Sequence, residues 1–165
     1  MNTKITDPRL GPLDFEDGCA DTTVKHREAV VAVDVNFEGD PDARVLAVPA
    51  ALVADVAKLD VEARKALAAD LRSGDPDGAT PLYRSHHFEE LDNEVLESLF
   101  GTDSATGLSD QAFLEAFRLV RIGVYPEEAD AAVLCDYSLG EELTDYLLSV
   151  AFGTGGVVQN VSMES

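Results

Sequence analysis

Apolar and polar positions alternate along residues 29–37, where Val31, Val33 and Val35 are separated by small or polar residues. A period of two is typical of a strand with one face in the core. Residues 22–24 precede this segment and are all β-branched, which favours extended structure. The pattern therefore predicts an N-terminal β-hairpin with residues 29–37 as its second strand.

The apolar spacing changes to three and four residues between residues 49 and 117, which is typical of helices with one buried face. Helix start and stop signals divide this block into several predicted helices. We place Pro49 in the first turn of the first helix and interpret Asp60 as the N-cap of the second. The remaining signals are Thr80 as a cap, Gly101 as a C-terminal stop and Ser109 as a cap.

The period of two returns in the last third of the chain, where four strands are predicted. Their ranges are 119–125, 132–139, 144–152 and 157–163. Connections of hairpin length join them, so we expect a meander. Strands at both ends of the chain around a block of helices predict an α+β fold. In this two-layer sandwich, the N-terminal hairpin and the four-strand meander form an antiparallel sheet, and the central helices pack on one of its faces.

The chain has 165 residues, of which 45% are hydrophobic, and this is enough for one buried core. Residues 1–12 are mostly polar and contain Pro8, Gly11 and Pro12, which interrupt regular structure. We therefore expect a flexible N-terminal arm at residues 1–12 and a single α+β domain at residues 13–165.

Acidity is the main feature of the composition, with 32 Asp and Glu against 12 Lys and Arg and a net charge of -20. Such a charge disfavours binding to nucleic acid, which depends on cations that neutralise phosphates, and to anionic membranes. Three interpretations remain open. The charge keeps the protein soluble, it reflects a salty cytoplasm, or it complements a basic protein partner.

Cysteine usage gives no sign of a disulfide framework or a zinc ribbon, because Cys19 and Cys135 stand alone in the sequence. The sequence also contains no apolar run near the length of a membrane span. We therefore expect a cytoplasmic protein without a membrane anchor.

The most suggestive group of potential metal ligands is His86, His87 and Glu90. On a helix His86 and Glu90 share a face, so half of a metal site is possible there. The spacing of a zinc-protease motif is absent, and the competing interpretation is that one imidazole faces the core. We assign no catalytic residue, metal or cofactor from the sequence, and we keep these three residues as candidates for a metal-dependent hydrolase.

Four other charged residues are candidates for ligand binding. Glu141 and Glu142 form a carboxylate pair in a predicted hairpin loop, where side chains usually point into water. Arg118 and Arg121 are rare cations in this acidic chain. We expect the two arginines to pair with carboxylates, and the alternative is that they bind an anionic ligand.

The C-terminal half also resembles a known family. The residues that carry the resemblance are 113–126, 135–148 and 163–165, together with the acidic segment 87–91. They are similar to the uncharacterised bacterial domain-of-unknown-function family numbered 2004. The resemblance implies a two-layer α/β sandwich, and it implies no activity and no catalytic residues.

Two hypotheses for function follow from the sequence. The first is a non-catalytic acidic protein that binds a basic protein partner, and the immunity proteins that block basic toxin domains are an analogy for it. The second is the metal-dependent hydrolase based on His86, His87 and Glu90.

Overall fold

The strands form two sheets in the computed structural model, which describes residues 2–165. In chain order they are β1 (Thr3–Asp7), β2 (Gly11–Phe15), β3 (Cys19–His26), β4 (Ala29–Asn36), β5 (Arg118–Val124), β6 (Val133–Ser138), β7 (Leu147–Phe152) and β8 (Val158–Glu164). β1 and β2 pair only with each other, and the main sheet has the order β3-β4-β5-β6-β7-β8. The predicted N-terminal hairpin and the C-terminal meander both lie in the main sheet.

The helices occupy the middle of the chain. They are α1 (Ala43–Ala54), α2 (Val56–Arg72), α3 (Ala79–Glu90), α4 (Asn93–Phe100) and α5 (Asp110–Glu115), with a 3₁₀ turn at Ala105–Gly107. Within the described residues, none of these helices has the length and apolar character that crossing a bilayer requires.

The core lies between one face of the main sheet and the helices. The buried residues of this sheet face include Val33 on β4 and Ile122 on β5, and Leu67 of α2 is buried opposite them. Within residues 2–165 the helices pack on this one face of the sheet. The predicted α+β fold, with helices packed on one face of a sheet, is confirmed.

One strand pair departs from the antiparallel pattern. β4 and β5 are parallel, with Val33 opposite Ile122 and Val35 opposite Val124. The helices return the chain to the end of the sheet at which β4 begins, and a crossover of this kind produces a parallel neighbour. All other neighbours in the main sheet are antiparallel.

The prediction of a flexible arm at residues 1–12 is wrong for residues 3–12, which form β1, a turn and the start of β2 in a hairpin. Met1 lies outside the described residues. Ile5 of β1 pairs with Leu13 of β2, and Leu13 is only 2% exposed. Pro12 is tolerated because the strands of a two-stranded ribbon are both edge strands. The hairpin packs beside β3 and α1 and contributes to the core.

Three residues that were predicted to mark the start of a helix lie at other positions: Pro49, Asp60 and Thr80. α1 begins after Asp42, whose side chain accepts a hydrogen bond from the Arg44 amide, so Pro49 lies inside this helix. Asp60 is likewise an interior residue of α2 and not its N-cap. Thr80 falls within α3, because Gly78 is the cap residue there.

The other two signals are confirmed. The Ser109 side chain accepts a hydrogen bond from the Ala112 amide at the start of α5. Gly101 ends α4 in a left-handed conformation, with a φ of 75°.

Candidate functional site

The open face of the main sheet carries a shallow trough across β5 to β8. Its volume is about 670 Å³. The side chains on its floor are small or apolar and include Leu134, Ser149 and Ala151, which come from neighbouring antiparallel strands. Carboxylates lie around them at Asp130, Asp136 and Glu164. We call this surface, defined by these six residues, the acidic trough.

A single cation, Arg121, lies among the described residues that line the trough. Its Nε donates to Asp34 Oδ1 at 2.5 Å, and its Nη2 donates to Asp34 Oδ2 at 2.6 Å. Its Nη1 donates to Asp136 Oδ2 at 2.9 Å. These hydrogen bonds raise the pKa of Arg121 well above its usual range, and those to Asp34 contribute most. The predicted pairing of Arg121 with carboxylates is therefore observed. All three nitrogens of its guanidinium donate hydrogen bonds to Asp34 or Asp136.

The pairing of the strands produces this arrangement. Asp34 and Asp136 lie on the strands to either side of β5, so the two carboxylates flank the arginine. Gly123 leaves room for it, because a Cβ there would lie 2.9 Å from the ring of Tyr125 and 3.0 Å from Arg121 Nη2. The Tyr125 hydroxyl in turn accepts a hydrogen bond from Arg121.

A second polar group is buried on the helix side of the sheet, around Asp60. This residue is 1% exposed. Its Oδ1 accepts hydrogen bonds from the Tyr137 hydroxyl at 2.6 Å and from Arg64 Nε at 3.0 Å. Its Oδ2 accepts one from His26 Nε2 at 2.8 Å. We call Asp60, His26, Arg64 and Tyr137 the Asp60 cluster.

Hydrogen bonding keeps the Asp60 carboxylate charged. Burial raises its pKa, but the hydrogen bonds from Tyr137 and His26 and the charge of Arg64 outweigh burial and lower the pKa below 3.8. Burial also raises the pKa of Tyr137 well above its usual range, and the nearby negative charge of Asp60 adds to this effect. The tyrosine therefore stays protonated and acts as a donor.

Arg64 connects the Asp60 cluster to the end of α5. Its Nη1 donates to the Leu114 carbonyl at 3.0 Å, and its Nη2 donates to the Phe117 carbonyl at 2.9 Å. Its guanidinium also lies over the Tyr137 ring, 5.2 Å from the ring centroid. Each of the three guanidinium nitrogens thus has a partner within the fold, which makes Arg64 a structural residue.

A cavity of about 600 Å³ adjoins the Asp60 cluster, where β4 and β5 begin and β6 ends. We call it the end cavity. Its charged or titratable lining residues, apart from Arg64, are His26, Arg27, Glu115, Arg118, Glu141 and Glu142. Three of the four binding candidates from the sequence therefore meet in the end cavity, and Arg121 lies in the acidic trough instead.

The three metal candidates lie in different environments. His86 is half-buried, and its ring packs against the Tyr146 ring with the centroids 4.7 Å apart. His87 is buried, and its Nδ1 donates to the Tyr83 carbonyl at 2.7 Å while its Nε2 accepts from the Thr144 hydroxyl at 2.8 Å. Burial lowers the pKa of His87, so the ring is held neutral. Glu90 is exposed at the end of α3. No three His, Cys, Asp or Glu side chains within residues 2–165 are arranged to hold a metal ion.

Sequence reasoning missed Asp60 as a buried group, although one signal was present. Asp60, Ala63 and Leu67 follow one another at spacings of three and four, and all three are buried. A charged residue on the apolar stripe of a helix indicates a buried polar partner. Its partners could not be identified in this way, because His26 and Tyr137 are 34 and 77 residues away in the chain.

We compared the chain with protein-family models, with curated proteins and with solved structures, and none of the three comparisons gave a match. The resemblance to family 2004 therefore stays a prediction, and the geometry of the trough, the Asp60 cluster and the end cavity is what bears on function.

Proposed function

We propose that the protein is a non-catalytic binding protein that holds a basic protein partner in its acidic trough. The observation that carries the proposal is the trough itself, an open sheet surface lined by carboxylates on a molecule with a net charge of -20. Neutralising a basic toxin domain is one form that such a function would take.

Charge supports a basic partner in two ways. The overall charge attracts a cationic protein from a distance and raises the rate of encounter. Locally, Asp130, Asp136 and Glu164 face the trough, and the positive charge of Arg121 is already offset by Asp34 and Asp136. A lysine or arginine of the partner would therefore meet a negative surface.

The shape of the trough suits long basic side chains. Leu134 and Ala151 supply the apolar part of the floor, on which the methylene stems of lysine or arginine can pack. Asp130 and Glu164, which are exposed beside this floor, are placed to accept the charged ends of those side chains. Arg121 and Asp136 bind each other, so neither side chain is held ready to react with a substrate. This favours a binding surface over a catalytic site.

The test compares two double variants with the same change in charge. Asp130→Lys with Glu164→Lys reverses two exposed charges of the trough. Glu89→Lys with Glu97→Lys reverses two exposed charges on the helices and serves as the matched control. Each purified, tagged protein is incubated with extract of the native host at low and at moderate salt, and the bound proteins are identified by mass spectrometry.

We expect the wild type and the helix control to retain the same basic protein, and we expect the trough variant to lose it. The purified partner is then titrated against all three proteins by calorimetry. Equal binding by the trough variant, or the absence of any basic protein bound to the wild type, would contradict the proposal.

A further inference from the structure

We infer that the end cavity is a second binding site, for a small zwitterion of the amino-acid class. This site is separate from the acidic trough and does not depend on the proposed function. The argument starts from the unpaired charges of both signs that line the cavity.

Arg118 is exposed, and no carboxylate among residues 2–165 lies within 4.0 Å of its guanidinium. In the same part of the chain, Glu115, Glu141 and Glu142 form no ion pair with a lysine or arginine. Each of these charged groups is therefore free to form a charge-assisted hydrogen bond with a ligand. Here they stay apart, and a ligand that carries both charges can pair with both sides.

The floor of the end cavity is rigid, because the Asp60 cluster holds it. The Asp60 carboxylate fixes the His26 ring by accepting a hydrogen bond from its Nε2. The second ring nitrogen of His26, Nδ1, has no hydrogen-bond partner among the described residues. His26 is 12% exposed and lines the cavity, so this nitrogen is available to a ligand. A ring held by a buried carboxylate costs little entropy when it binds, which favours affinity.

The turn between β3 and β4 places another cation at the cavity. Arg27 and Glu28 both have positive φ angles, 50° and 64°, in the left-handed region that residues other than glycine seldom adopt. Two-residue turns of this kind match the twist of a hairpin. The turn holds Arg27 Nε 3.7 Å from Asp60 Oδ2, and the side chain remains 64% exposed.

These residues specify the chemistry of the ligand. The forked guanidinium groups of Arg27 and Arg118 suit a carboxylate, and Glu141 and Glu142 suit an ammonium group. A simple anion would be repelled by the glutamates, and a simple cation would be repelled by the arginines. The volume of about 600 Å³ is sufficient for an amino acid or a short peptide.

The test measures melting temperature and calorimetric binding with each standard amino acid in turn, at constant ionic strength. Sodium acetate and methylammonium chloride serve as probes that carry only one of the two charges. We expect at least one amino acid to raise the melting temperature in a saturable way, and we expect neither single-charge probe to do so.

Variants then connect the response to the end cavity. Arg118→Gln and Glu141→Gln, both at exposed positions, are each expected to weaken binding about tenfold or more. Arg72→Gln and Glu97→Gln are exposed controls away from the end cavity and should bind as the wild type does. The inference is overturned if no amino acid gives a saturable shift, if acetate alone is as effective, or if the cavity variants keep full affinity.

Discussion

Replacing Asp60 by alanine removes a carboxylate that three side chains share, and the structure sets the size of the effect. The hydroxyl of Tyr137 is buried and would lose its acceptor, which costs about 1–3 kcal/mol. Arg64 would lose one of its partners and keep its bonds to two carbonyls. Because breaking a buried ion pair costs about 3–5 kcal/mol, we expect Asp60→Ala to lower the free energy of unfolding by about that amount.

Urea unfolding at neutral pH, followed by circular dichroism, measures this cost. Tyr137→Phe removes one donor from the Asp60 cluster and should cost about 1.5–3 kcal/mol, the range for hydrogen bonds to charged groups. Tyr125→Phe removes a tyrosine hydroxyl bound to Arg121 on the open face, where water can replace it, and should cost less than about 1 kcal/mol. A loss below about 1 kcal/mol in Asp60→Ala would refute the account of the cluster.

Acid should weaken the Asp60 cluster in a defined direction. The pKa of Asp60 is lowered in the folded state, so its contribution is complete above the unfolded value of 3.8 and is lost as the pH falls through the folded value. Asp60→Asn, which cannot titrate, should lack that part of the acid dependence. An unchanged stability profile below about pH 4 in this variant would show that Asp60 is not the group responsible.

Three further predictions concern single residues of the core and the sheet. Burial lowers the pKa of His87 below 6.5, so its contribution to stability should be complete above that pH and fall as the solution is acidified below it, and His87→Gln should remove that slope in urea unfolding. Gly123→Ala places a Cβ 2.9 Å from the Tyr125 ring and should cost about 1–3 kcal/mol, whereas Gly155→Ala, with open space around it, should cost under about 0.5 kcal/mol in the same assay. Thr80→Val should be neutral or stabilising, because the buried Oγ1 has no hydrogen-bond partner among the described residues, and a clear fall in melting temperature would show that this hydroxyl is bound.

A strand could be predicted from the sequence where buried and exposed side chains alternate along it. Val31, Val33 and Val35 are all buried, as their alternation predicts, and the last four strands form the expected meander. The order of these strands followed from loop length, because hairpin loops leave little choice of neighbour. The parallel pairing of β4 and β5 could not be predicted, since it depends on how the intervening helices return the chain.

The hairpin of β1 and β2 was missed because the glycine and prolines that suggested a loose arm belong to its turn and its strands. Gly11 adopts a φ of 83° at the start of β2, and Asp7 Oδ1 accepts hydrogen bonds from the Arg9 and Leu10 amides within the turn. Turn chemistry and loose chain use the same residue types. Only contact with the core distinguishes the two, and Leu10 and Leu13 make that contact.

The candidate sites were predictable in part. Both Arg118 and Arg121 were expected to pair with carboxylates. Arg121 does so, but for Arg118 the expectation is wrong, because it forms no ion pair among residues 2–165.

Arg118, Glu141 and Glu142 converge because β5 and β6 form an antiparallel hairpin, in which the start of β5 lies beside the end of β6, as the expected meander implies. The addition of His26 and Arg27 to the end cavity depended on the parallel pairing of β4 with β5, which the sequence did not predict.

The competing interpretation placed one imidazole of the His86 and His87 pair in the core without saying which, and the structure shows that His87 is the buried one. Buried imidazoles are usually hydrogen-bonded, as this one is.

The parallel junction between β4 and β5 also bears on the order in which the protein can assemble. Residues 37–117 separate these strands, so in a nascent chain β3 and β4 are synthesised well before β5 exists. The apolar face of β4, with Val31, Val33 and Val35, is covered only when residues far along the chain pack against it, and such long-range contacts form slowly. During that interval repulsion between acidic chains opposes their association. The net charge of -20 can therefore protect the unfinished fold as well as attract a partner to the finished one.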